Sequence, residues 1–131
     1  MKKLFHLMAI AIVALTFAAC GKSASPEGAV DACLKSYQKS DYVGMINQFY
    51  FKNDLTDDQK EQYAALLQGK LGPEVEKKGG IASYSIDETE MAEDGQSAVV
   101  KYTINFGNGT SSDDTMKVVL VDGKWMPDAG K

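Results

Sequence analysis

The sequence predicts an α+β domain behind an apolar leader, with N-terminal helices packed on a curved antiparallel sheet. Three observations carry this expectation. Apolar residues recur at helical spacing from Val30 to Leu71, they alternate at strand spacing from Ala98 to Leu120, and the period changes at Gly79-Gly80. A run of helices followed by a run of strands reads as helices on one face of an antiparallel sheet.

The leader comes first. Lys2 and Lys3 precede an unbroken apolar run from Leu7 to Leu15, and Ala18-Ala19 stand before Cys20. This is the layout of a secretory signal sequence. Leu4 to Ala19 spans 16 residues and includes His6 and Thr16, short of the about 20 apolar residues a membrane span needs. Phe17-Ala18-Ala19-Cys20 resembles a bacterial lipobox, in which a small residue precedes the cysteine that takes a lipid, although Leu is commoner where Phe17 stands. Ordinary cleavage after Ala19 would instead leave a free thiol. The expected organisation is residues 1–19 as signal peptide, 20–25 as lipidated Cys20 and short linker, and 26–131 as one α+β domain.

The 131-residue chain carries 14 basic and 18 acidic residues, a net charge of −4, and none of the basic residues is Arg. Without Lys2 and Lys3, twelve lysines face 18 acids, or −6, and the single His6 leaves with the leader. Such a chain is poorly suited to nucleic acid or anionic lipid headgroups. It also lacks the residue best fitted to bidentate phosphate or carboxylate recognition.

Within the domain, Ser25-Pro26-Glu27 marks a helix start, with a cap, a proline at the first position and an acid at the positive end of the dipole. Val30, Cys33, Leu34 and Tyr37 then form one apolar stripe, in which Cys33 reads as buried filler. Asp41 caps a second, short helix with Tyr42, Met45, Ile46 and Phe49 on its apolar side. Thr56-Asp57-Asp58-Gln59 reads as a capping box opening a third helix, whose expected buried stripe is Tyr63, Leu66, Leu67 and Leu71. Gly72-Pro73 is expected to kink or break it.

Ile81 to Met91 is a candidate strand without an evident face. Ala98, Val100, Tyr102, Ile104 and Phe106 alternate with Val99, Lys101, Thr103 and Asn105 in a second strand, Gly107 to Thr110 is a turn, and Met116, Val118 and Leu120 mark a third strand. The stretch from Ser111 to Thr115 reads as a solvated loop. Asp122-Gly123 favours a type I′ hairpin, returning through Lys124 to Met126 with Trp125 at its centre.

These residues, from "SPEGAVDACLKSYQKSDYVGMINQFY" through "LTDDQKEQYAALLQGKL" and "KKGGIASYSID" to "VVLVDGKWMPD", resemble a family of small bacterial lipoproteins. That family carries a domain of unknown function (4878) with the nuclear-transport-factor-2-like, or cystatin-like, fold. The shared motifs are fold-forming. The resemblance implies a cone with a cavity, used by some relatives of the fold for small-molecule chemistry and by others for protein binding. Fold alone does not choose between these uses.

Relatives such as ketosteroid isomerase place an Asp, Tyr or His in the cone as acid or base. Here no histidine follows the leader, and Asp41, Asp57, Asp58 and Glu61 read as caps or first-turn charges. "DETEMAED" and "SSDDT" lack the ligand spacing of an EF-hand loop, no Cys/His set fits zinc, and no phosphate-binding loop is present. No catalytic residue, metal or cofactor is expected. Tyr37, Tyr102 and Trp125 are the candidate cavity-lining residues, with ordinary core packing as the competing explanation. Asp114-Thr115-Met116 resembles a short bacterial O-glycosylation sequence, a weak signal at three loosely specified positions.

The sequence therefore points to a cell-envelope protein, anchored to a membrane through lipid on Cys20 and facing the periplasm, that works as a non-enzymatic binding or interaction module. Its expected partner is an envelope protein or a small apolar ligand. The alternatives are a small cone-fold enzyme or carrier for an apolar molecule, and an inhibitor or immunity-type protein that binds an envelope enzyme. A cavity of about 300 Å³ or more with converging polar groups would favour the first alternative, a cone-fold enzyme or carrier. A sealed core with an exposed apolar patch would favour a protein partner.

Overall fold

The structure is a computed structural model describing residues 24–130. The expected signal peptide, residues 1–19, and Cys20 lie outside the described residues. Three helices, α1 (Pro26–Gln38), α2 (Tyr42–Asn47) and α3 (Asp57–Lys77), precede four strands, β1 (Ile81–Met91), β2 (Ser97–Phe106), β3 (Ser111–Val121) and β4 (Lys124–Pro127). The strands form one antiparallel sheet in the order β1-β2-β3-β4.

The helix starts follow from their capping residues. The Ser25 side chain accepts from the Gly28 N–H at 3.0 Å, and Asp41 accepts from the Gly44 N–H at 3.0 Å. Thr56 and Gln59 exchange both bonds of a capping box, at 3.1 and 2.9 Å. Each bond satisfies a backbone donor that the first turn leaves without a partner.

Helix α3 departs from expectation twice. It runs unbroken through Pro73. Proline crowds the N–H and Cβ of the residue before it, and here that residue is Gly72, whose missing Cβ removes one of those clashes. Its buried side is also rotated from the expected stripe. Ala64 and Val75 are buried, Tyr63, Leu67 and Leu71 are half-buried, and Leu66 is 73 % exposed. The helix follows the row 64, 67, 71 and 75, and Leu66 falls off that row.

A third departure concerns Ser111 to Thr115, which form the first half of β3. Polar residues, among them two aspartates of low strand propensity, are held there by pairing, from Asn105 opposite Ser111 to Lys101 opposite Thr115. Asp122 and Gly123 have φ of 50° and 79°, the positive values a type I′ turn requires, so β3 returns directly into β4.

Helix α1 lies across the sheet and contacts all four strands, whereas α3 packs mainly on α2. The core between α1 and the sheet includes Ala29, Val30, Leu34, Val100, Val118 and Trp125. A second cluster joins Cys33, Tyr42, Met45, Ile46, Phe51 and Ala64 beneath α2 and α3. Tyr37 and Met116 pack against both. The end of α3 is fastened to the β2–β3 turn by two backbone hydrogen bonds. The Asn108 N–H donates to the Lys78 carbonyl and the Gly107 N–H to the Gly80 carbonyl, each at 2.9 Å. A Cβ at Gly107 would stand 2.3 Å from the Gly79 carbonyl oxygen, so this approach requires glycine.

Candidate functional site

Where α1, α2, the end of α3 and the far halves of β2 and β3 meet, the side chains do not close. They leave an open cavity of about 300 Å³. Its apolar lining comes from Leu34, Met45, Leu71, Val75, Ile104 and Phe106, together with Met116. Tyr37 and Tyr102 line it from α1 and β2, and Glu74, Lys78, Ser112 and Asp114 line it from the end of α3 and the start of β3.

The strands deliver these groups by alternation. Tyr102 and Asp114 are directly paired across β2 and β3, so both point to the face that carries Val100 and Val118. The inward residues of β3, read backward from Val118, are Met116, Asp114 and Ser112. That face becomes polar at the cavity.

Burial raises the Tyr102 hydroxyl to about 12, with further contributions from the charge of Asp114 and from Cys33 and Tyr37. Tyr37 is raised by burial and then by its neighbour Tyr42, whose ring meets it edge-on with centroids 6.1 Å apart. Both phenols are therefore protonated near neutral pH and available as hydrogen-bond donors. The Lys78 ammonium sits 4.7 Å from the centroid of the Phe106 ring, a cation–π arrangement that holds it at the mouth. Cys33 is completely buried and its thiol is raised to about 12 by burial, the environment of an inert packing cysteine.

The sequence-derived cavity residues thus separate. Tyr37 and Tyr102 line one cavity. Trp125 lies elsewhere, 9 % exposed in the closed core, where it borders a smaller recess with Ala29, Ala32, Gln48 and Pro127. Thr115 is exposed on the outward side of β3. The polar groups at the mouth were not singled out from the sequence. Extending the alternation of Met116 and Val118 back by two and four residues would have found Asp114 and Ser112. Glu74 and Lys78 gave no such signal, since they reach the cavity only because α3 continues through Pro73.

Residues 18–126 match the family described as Domain of unknown function (DUF4878). The chain belongs to this family. Among solved structures, the DUF4878 chain is similar to a Campylobacter jejuni protein provisionally assigned as an NTF2-like transpeptidase. The TM-score is 0.64 at 16 % identity, covering 79 % of this chain and 96 % of that one. At that identity the likeness establishes the fold, an NTF2-like α+β cone. A ketosteroid isomerase-like protein from Erwinia carotovora atroseptica matches with TM-score 0.47 and 13 % identity, covering 78 % of this chain and 87 % of that one. No curated protein matches the chain.

Proposed function

We propose that this DUF4878 chain is a lipid-anchored cell-envelope module that binds a small, largely apolar molecule in its cone without transforming it. The cavity is the observation that carries the reading. Its size lies at the lower end for small-molecule sites, and its lining is mostly apolar with a few polar groups at the mouth, as such sites usually are. The sequence from Lys2 to Cys20 supports the anchor and the envelope location.

A binding role is favoured over catalysis by the state of the cavity's own groups. A base working near neutral pH needs a pKa near that pH, and Tyr102 and Tyr37 are displaced upward, away from it. Transpeptidation, for which the Campylobacter protein is named, needs an activated nucleophile. Ser112 is the serine lining this cavity and it is exposed at the rim, while the Cys33 thiol is buried and protonated.

The anchor is tested by palmitate labelling in cells, which should enter the wild-type chain and not Cys20→Ser; equal labelling would refute it. Binding is tested by methyl NMR of the full-length chain against a panel of apolar small molecules. Binders should shift Met45 and Met116 and be recovered unchanged. Replacing Tyr37 and Tyr102 by Phe should weaken binding only modestly. A molecule turned over by the wild type and not by either Phe variant, with the fold intact, would establish an enzyme instead.

A further inference from the structure

We propose that the cavity selects an apolar molecule ending in a single ammonium group, an inference that rests on reading the cavity as a ligand site. Two exposed carboxylates, Glu74 and Asp114, stand at the mouth of the pocket together with Lys78 and Ser112, above a mostly apolar lining. Among the described residues the ion pairs are Asp31 with Lys35 and Lys117 with Asp128, and neither involves the mouth. Asp114 accepts one hydrogen bond, from the Thr115 N–H to Oδ1 at 2.8 Å, and its Oδ2 has no hydrogen-bond partner among the described residues. The Lys78 ammonium is placed against the Phe106 ring and makes no ion pair with either acid.

An entering ammonium would therefore meet carboxylates without ion-pair partners, in a lining that also holds the Tyr102 hydroxyl near Asp114 as an acceptor. A carboxylate end would meet like charge from the same pair, and one lysine already engaged by an aromatic face. The negative charge of the whole chain biases approach in the same direction. The apolar body of the ligand would lie on Leu34, Val75 and Ile104.

The test titrates octylamine, octanol and octanoate at pH 7 into the full-length chain labelled at its methionine methyls, reading Met45 and Met116. Octylamine should bind more tightly than octanol and about tenfold more tightly than octanoate, the scale of a few partly exposed charge contacts. The gap should narrow as salt is raised. Octanoate binding as tightly as octylamine would overturn the charge preference while leaving the cavity reading in place. No shift of Met45 and Met116 with any of the three would overturn both. Glu74→Gln and Asp114→Asn should each lower the octylamine-to-octanol affinity ratio about threefold, and an unchanged ratio in both would remove these acids from the selection.

Discussion

The two ends of the sheet face the same helix and have opposite outcomes. At one end, Ala98 and Val100 of β2 and Val118 of β3 lie under Ala29 and Val30 of α1, and Trp125 closes the edge. At the other, Tyr102, Ile104 and Phe106 continue β2, Asp114 and Ser112 continue β3, and a cavity opens. Backbone pairing is regular through both ends of this strand pair. The difference lies in side chains and in what covers them. Alanines and valines meet α1 directly at the closed end, whereas at the open end larger and polar residues line a space that α1 and the tip of α3 leave unfilled. A single sheet can thus be core along half its length and a binding wall along the rest.

That comparison is most easily broken at the closed end. Trp125→Ala should cost about 3–5 kcal/mol, the usual range for a buried Trp. A loss of that size is a large share of a small domain's stability and should lower Tm by more than about 10 °C. A Tm close to wild type would show that Trp125 does not seal this end. Paired truncations on one strand sharpen the contrast. Val118→Ala, at a fully buried position, should cost about 2 kcal/mol, and Met116→Ala, beside the cavity, less than about 1 kcal/mol. Urea unfolding of both variants measures the difference, and equal losses would mean that the two ends are equally packed.

The smallest effect is alkaline. Cys33 and Tyr102 have folded-state pKa values raised above their ordinary 9.0 and 10.0, each to about 12. A raised value means the unfolded chain gives up the proton first. The stability contributed by the neutral groups is therefore complete below about pH 9 and is lost as pH rises toward 12. From pH 8 to 9.5 the expected loss is below about 1 kcal/mol, followed through urea midpoints. A midpoint that rises with pH over this interval would contradict the burial of Cys33.

The fold was legible wherever a local rule decides structure. Ser25, Asp41 and Thr56 announce their helices because capping needs only neighbouring residues, and Asp122-Gly123 fixes its hairpin through φ alone. The resemblance to the family pointed to the cone. Legibility failed where distant residues decide. Ser111 to Thr115 are a strand because β2 pairs with them, and nothing in their own composition indicates it. Leu66 reads as core by hydropathy and faces solvent because α3 packs on the row through Ala64 and Leu67. The site was half legible for the same reason. Tyr37 and Tyr102 stand out on apolar faces, but the charged mouth is assembled from a helix end and a strand start more than 30 residues apart.

The fastening of α3 to the β2–β3 turn bears on how this scaffold can vary. Main-chain hydrogen bonds from Gly107 and Asn108, at a separation only glycine allows, set where the end of α3 stands over the sheet. The aperture of the cone is thus written in backbone. The groups around it are side chains that take no part in those bonds. Substitution at Glu74, Ser112 or Asp114 can change what the mouth attracts without touching these bonds, while a side chain at Gly107 would disturb them first. Specificity and aperture are therefore separately inheritable in this domain.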